Sequence, residues 1–261
     1  METIKEFIIR ITENAGKMAI DFLGKSKISE KGFKDIVTEA DKEIDYYLSE
    51  KIKERFPNHS IYAEESGDDK KESDFVWYID PIDGTHNFAH KDPNFCVSVA
   101  LAEKGVIKYA AVYIPMLNEL YYAEKGKGAE LNGKKIEVSK IDKLENAMVH
   151  IGIMQQSNML DKTIQVFRHL TMFSQKTRDY GFAAGELCYL ASGRADGYIR
   201  YNQHVWDIAA GSLILEEAKG IISDLNGNPL KFDKESAKKK YNVIASNGLL
   251  HKTLINTIKT I

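Results

Sequence analysis

Residues 77–88 read WYIDPIDGTHNF, a strand-like segment set directly against two carboxylates and a glycine. The run from Phe75 to Ile79 is entirely apolar or aromatic and predicts a buried strand. Asp80 and Asp83 follow with Pro81 and Ile82 between them, and Gly84 closes the group. Asp, Pro and Gly are turn residues, so a turn after the strand explains part of the pattern. It does not explain why acids recur at comparable places elsewhere.

Outward from this stretch, Glu64 and Glu65 follow the apolar run HSIYA, Asp41 sits in DIVTEAD, and Asp207 sits in VWDIAAG. Each has a plain structural reading. Thr38 to Asp41 fits a helix capping box, Asp207 a first-turn acid beside a helix dipole, and residues 64–69 a solvated acidic loop. Together, acids at the ends of separate elements point to a site for hard cations. Magnesium takes oxygen ligands, and the lack of an accompanying Cys or His cluster disfavours zinc. With Asp80 at the strand end bridging two ions, a turn through Pro81 brings the Ile82 carbonyl and Asp83 around the same pair, roughly 3.5–4 Å apart in two-metal sites. Gly84 and Thr85 then open a short helix whose backbone N–H groups offer a seat for phosphate.

The chain has 261 residues, 43% of them hydrophobic, and a formal net charge of -2. Its lysines are scattered, so the charge pattern predicts neither a nucleic-acid surface nor an anionic-membrane surface. Cys96 and Cys188 lie in apolar stretches and read as core residues of a cytoplasmic protein. Ile4, Phe7, Ile8 and Ile11 recur at helical spacing, which predicts an amphipathic first helix rather than a signal sequence. A second helix is expected to begin at DIVTEADKEIDYYL and to stop at Pro57. FVWYI, FCVSVALAE, VIKYAAVYI and ELYYAE then read as an antiparallel meander, with a hairpin at Asn132-Gly133. From about residue 140 strands and helices alternate, giving an expected division into 1–139 (α+β) and 140–261 (α/β).

DIVTEAD (35–41), EES (64–66), WYIDPIDGTHNF (77–88) and VWDIAAG (205–211), in this order, with a fainter match at Gly181 to Ala184, resemble the inositol monophosphatase family of magnesium-dependent, lithium-sensitive phosphatases. The resemblance runs over essentially the whole chain. It implies an α+β fold, a layered αβαβα sandwich with the site at the seam of the halves. One ion would be held by Glu64, Asp80 and the Ile82 carbonyl, and a second by Asp80, Asp83 and Asp207. Thr85 and Asp41 would orient the attacking water, with Glu65 and Glu64 near a third ion. Phosphate would rest on the Gly84 and Thr85 amides, and Gly181, Phe182 and Ala183 would approach the alcohol. The implied cofactor is Mg2+, two or three ions, replaceable by Mn2+ and antagonised by Li+. The implied state is a homodimer acting on a small phosphorylated sugar or polyol, with no covalent intermediate.

Two positions depart from the family pattern. Arg200 stands seven residues before Asp207, where inositol-selective members carry a glutamate. It reads either as a strand-edge arginine paired with an acid or as a guanidinium receiving a second anionic group. Phe182 replaces a small hydroxyl residue and would narrow the alcohol pocket or make it more apolar. Fructose 1,6-bisphosphate, histidinol phosphate and nucleotide 3′-phosphates therefore stand beside inositol phosphate as candidate substrates. His86 and His204 read as spacers, and Trp77 and Trp206 as packing. A regulatory or binding protein with a secondary phosphatase site is the rival reading.

Overall fold

Strand pairing in the first half places the DPID segment at the end of an interior strand of a large sheet. The structure, a computed structural model, describes residues 2–32, 35–69, 71–154, 157–232 and 236–261. Helix α1 (Ile4–Phe22) leads into a hairpin of β1 (Ile28–Gly32) and β2 (Asp35–Thr38), and then α2 (Glu39–Arg55). Next come β3 (Ser60–Ala63), β4 (Gly67–Asp68), β5 (Phe75–Asp83), the short α3 (Thr85–Ala89), β6 (Cys96–Glu103), β7 (Val106–Ile114), β8 (Glu119–Glu124), β9 (Gly128–Leu131) and β10 (Lys134–Ile136). Eight strands form one sheet in the order β10-β9-β8-β7-β6-β5-β3-β4. The expected meander and the Asn132-Gly133 hairpin are present, and β3 pairs with β5 in parallel.

The second half contains β11 (Met148–Ile151), α4 (Ser157–Phe173), β12 (Lys176–Arg178), α5 (Ala183–Ala191), β13 (Gly197–Gln203), α6 (Val205–Glu217), β14 (Ile221–Asp224), β15 (Tyr241–Ser246) and α7 (His251–Lys259). Its five-stranded sheet runs β12-β11-β13-β15-β14. Alternation along the strands sorts the side chains into three cores. Ile61, Trp77, Ile79 and Val99 pack under α1 and α2. Tyr78, Ala100 and Val112 face the other way, against Leu187, Ile208, Leu213 and Tyr198, so α5 and α6 lie between the two sheets. Ile199, Tyr201 and Ile244 meet Val166, Leu170 and Leu254 on the far side. This is the αβαβα sandwich. Among the described residues, no helix is long and apolar enough to cross a membrane. Cys96 and Cys188 are buried free thiols.

The expected start of the second helix is corrected. Ile36, Val37 and Thr38 are consecutive β-branched residues that favour an extended backbone, and they form β2. The helix begins at Glu39, because its N-cap Thr38 must itself be extended (φ -107, ψ 164). Trp77 is buried, its indole N–H donating to His59 Nδ1 at 3.0 Å, as its packing role requires.

His150 on β11 is also buried, and its pKa is pushed down to about 3, chiefly by burial and then by Arg200 and Arg178. An unfolded histidine titrates near 6.5. Below that pH the unfolded chain binds a proton that the folded chain refuses, so this contribution is complete above 6.5 and is lost as pH falls toward 3. Between pH 7 and 5 it amounts to about 2 kcal/mol. His150→Phe is therefore expected to lose less melting temperature than the wild type on acidification from pH 7 to 5, measured by calorimetry. Equal losses would contradict the assignment.

Candidate metal-assisted hydrolytic site

The puzzle of the two aspartates is resolved by a β-bulge. In a regular strand, residues three apart point to opposite faces. Along β5, however, Asp80 pairs with Ser98 and Asp83 with Cys96 of β6, so three steps on one strand meet two on the other. The extra residue turns both carboxylates toward one side, and Pro81 is accommodated because a bulge needs no ladder bond from it. The expected turn is thus replaced by a strand that continues through Asp83. Gly84 follows with φ +93, and a Cβ there would lie 2.8 Å from the Asn94 carbonyl, so the site requires glycine.

Parallel pairing of Ala63 with Ile79 brings the next residues, Glu64 and Asp80, side by side. The Glu64 amide donates to the Ile79 carbonyl at 3.1 Å. Asp45 accepts from the Glu65 and Ser66 amides at 3.1 and 3.3 Å and anchors this turn to α2. One turn earlier on α2, Asp41 completes the capping box. Its Oδ2 accepts from the Thr38 amide and hydroxyl at 2.8 and 2.6 Å, while Oδ1 accepts from the Thr85 hydroxyl at 3.2 Å. The cap therefore fixes one oxygen and aims the other at Thr85.

Asp83 joins the two halves. Its Oδ1 accepts from the Ala183 amide at 2.8 Å, and its Oδ2 from the Ala184 and Gly185 amides at 2.7 and 3.4 Å and from the Cys96 thiol at 3.4 Å. A carboxylate from the first half thus caps α5 in the second, whose own N-cap residue, Phe182, supplies no side-chain bond. Asp207 lies in the first turn of α6 and accepts from the His204 amide at 2.7 Å.

These elements enclose a cleft of about 190 Å³ lined by Glu64, Asp80, Ile82, Asp83, Gly84, Thr85, Gly181, Ala183, Arg200, Gln203 and Asp207. A larger cavity of about 270 Å³ lies at the other end of β5, around Val76, Tyr78 and Phe232, away from these acids. Burial, then Glu64, Asp83, Asp207 and Asp41, push the Asp80 carboxyl well above the usual range. Burial raises Asp83 against the pull of its amide and thiol donors, and raises Asp207 with Glu64 and Asp83 adding to it. Glu64 is pushed up to about 7, mainly by burial, with Lys31 opposing.

The acids therefore converge without balancing their own charge. Asp80 Oδ1 is buried with no hydrogen-bond partner among the described residues. Carboxylates, one backbone carbonyl and an orphaned anionic oxygen form a donor set that suits magnesium. Among the described residues, no three His, Cys, Asp or Glu side chains are already closed into a coordination shell.

Two expectations need correction. Phe182 is fully buried, its ring packed on Gly185, Tyr180 and Tyr189 in the core, so it does not narrow the alcohol pocket. Arg200 lines the cleft but sits on β13, the central strand of its sheet, rather than at an edge. Its Nε and Nη2 donate to Glu186 at 3.1 and 2.8 Å, and Nη2 to Asp179 at 3.0 Å. Two carboxylates outweigh one guanidinium, so the positive charge expected for a second anion is already neutralised. Glu65 stands beside the cleft wall rather than on it, next to Glu64, and both contact Lys31.

Glu186, Asn87 and Asp45 escape the sequence reading. Buried Glu186 also accepts from the Tyr180 amide at 2.6 Å. Asn87 donates to the carbonyls of Asn94 and Tyr180, both at 2.6 Å, and ties α3 to the loop carrying Gly181. The available signals were a lone charge in the apolar helix AAGELCYLA and the spacing of four between Asp41 and Asp45.

The model of the inositol monophosphatase family matches residues 1–261. Fructose-1,6-bisphosphatase/inositol-1-monophosphatase of Thermotoga maritima is 36% identical over 258 residues, covering 98% of this chain and 96% of the relative. Nus factor SuhB of Pseudomonas aeruginosa is 33% identical over 268 residues, covering 99% and 97%. The solved structure of a Thermotoga maritima IMPase matches with a TM-score of 0.88 at 36% identity, covering 97% of this chain and 96% of that one.

Proposed function

The chain belongs to the inositol monophosphatase family, and from that premise we propose that it is a Mg2+-dependent hydrolase of small phosphate monoesters. The observation that carries the proposal is the β5 bulge, which turns Asp80 and Asp83 into the same cleft as Glu64 and Asp207. Glu64, Asp80 and the Ile82 carbonyl hold one ion in this reading, and Asp80, Asp83 and Asp207 a second. When bound, the metal activates water and neutralises the leaving oxygen. The Thr85 hydroxyl lies 3.1 Å from the Ile82 carbonyl and 3.2 Å from Asp41 Oδ1; with that carbonyl engaged by an ion it would donate to Asp41, orient the attacking water through its free lone pair, and pass its own proton to Asp41 as it takes one from the water. The Gly84 and Thr85 amides cradle the phosphate, and Gly181 and Ala183 flank the alcohol.

Because Arg200 is held by Glu186 and Asp179, monophosphates of uncharged polyols or sugars are preferred over bisphosphates. Lithium inhibition, a homodimeric state and a cytoplasmic location belong to the same proposal. A regulatory role is the second reading, favoured by relatives that carry the name Nus factor SuhB. Release of inorganic phosphate from inositol, sugar and nucleotide phosphates, with and without Mg2+ and Li+, separates the two. Mg2+-dependent release supports the hydrolase, and no release from any ester favours the regulator.

Thr85→Val is expected to lower kcat about 10²- to 10⁴-fold, the usual range for positioned proton transfer, while Thr85→Ser retains most of it. Steady-state kinetics checks this, and an unimpaired valine variant would remove Thr85 from the mechanism.

A further inference from the structure

The acid pair Glu64 and Glu65 already has a cation. Lys31 Nζ contacts Glu65 Oε1 and lies 3.4 Å from Glu64 Oε1. Its side chain retains 27% exposure, and the Glu65 side chain only 8%. Lys31 belongs to β1, whose hairpin with β2 forms a separate two-stranded sheet exposed along its first strand. No strand of either large sheet pairs with that hairpin among the described residues. The ammonium is thus delivered to the mouth of the cleft by a peripheral element, while Glu64 also lines the cleft itself.

We infer that Lys31 is an internal counter-cation that competes with divalent metal for Glu64 and Glu65, and so sets how tightly the outermost ion is held. The inference rests on the metal-dependent reading above. An ammonium and a metal ion draw on the same carboxylate oxygens and repel one another at contact distance, so each weakens the other's hold. The competition concerns Glu64 and Glu65 alone, since Asp80, Asp83 and Asp207 have no ion pair with Lys31 among the described residues. Loss of the lysine charge should therefore strengthen the weakest binding step and leave the tighter one nearly unchanged.

Calorimetric titration of the metal-free protein with Mn2+ tests this on the wild type, Lys31→Met, Lys31→Gln and Lys31→Arg. The two neutral variants are expected to bind the weakest ion roughly two- to fivefold more tightly, the scale of a partly exposed ion pair, or to gain an ion the wild type lacks. Lys31→Arg should stay near the wild type. Unchanged affinity and stoichiometry in both neutral variants, or an arginine variant that shifts as far as they do, would overturn the inference while leaving the metal site standing. A wild type that takes up no Mn2+ would overturn the metal-dependent reading itself, and the inference with it.

Discussion

Asp80→Asn is expected to abolish turnover, by about a thousandfold or more, and yet to raise the melting temperature of the chelated protein at neutral pH. Both effects follow from one buried carboxylate. Asp80 is nearly inaccessible, its Oδ1 has no hydrogen-bond partner among the described residues, and Glu64, Asp83 and Asp207 face it. A carboxyl whose folded pKa is raised gives stability at low pH that is lost as pH rises through that pKa. At neutral pH the carboxyl must either carry a buried charge or take up a proton to avoid it, and asparagine removes that cost without changing its shape. In the proposed reading the same carboxylate would hold metal, and several kcal/mol of charge stabilisation in the transition state correspond to roughly a thousandfold in rate. Saturating the wild type with Mg2+ at about 100 times Kd should add about 2.7 kcal/mol, or several degrees, whereas D80N should gain far less. Melting curves with Mg2+ and with chelator read both halves. A variant that remains active, or that melts lower than the wild type in chelator, would contradict this account of Asp80.

Asp83 carries the second large expected effect, because it serves the site and the fold together. Asp83→Ala leaves the Ala183, Ala184 and Gly185 amides without their acceptor. Loss of a helix cap costs about 1 kcal/mol, and buried amides left unpaired add about 1–3 kcal/mol. Relief of buried charge offsets part of this, so a net loss of about 2 kcal/mol is expected, read by denaturant unfolding. Asp83→Asn keeps one of the two acceptor oxygens and should retain more of the stability than alanine. Both variants should be catalytically dead, because neither restores the anionic ligand. If alanine and asparagine proved equally stable, the capping role would be wrong; if asparagine retained activity, the ligand role would be wrong.

The contrast between these two aspartates marks what the sequence made legible. Asp80, Asp83, Glu64, Asp41 and Asp207 stood out because each sits at the boundary of an apolar element, where side chains from different layers can meet. The Thr38–Asp41 cap was legible for the same local reason. The bulge was not: whether two carboxylates share a face depends on one extra residue in β5 against β6, a pairing relation that no window of sequence contains. The hairpin before α2 was missed because β1 is exposed and polar and shows no apolar alternation.

The alcohol side of the cleft was read least well. Arg200 was legible as a charge in an unusual place. Its partners Glu186 and Asp179 lie 14 and 21 residues away, so its neutralisation emerges only from tertiary packing. Phe182 illustrates the same limit, since one backbone position serves the site while its ring belongs to the core. Lys31 reaches Glu65 across 34 residues through a separate sheet, and nothing in ISEKG suggests it.

Anomalous diffraction from a crystal soaked in Mn2+ tests the central claim most directly. The account predicts manganese peaks in the cleft, one within bonding distance of Glu64, Asp80 and the Ile82 carbonyl and one within reach of Asp80, Asp83 and Asp207. No peak there at saturating Mn2+, or peaks held only by exposed acids elsewhere, would contradict it.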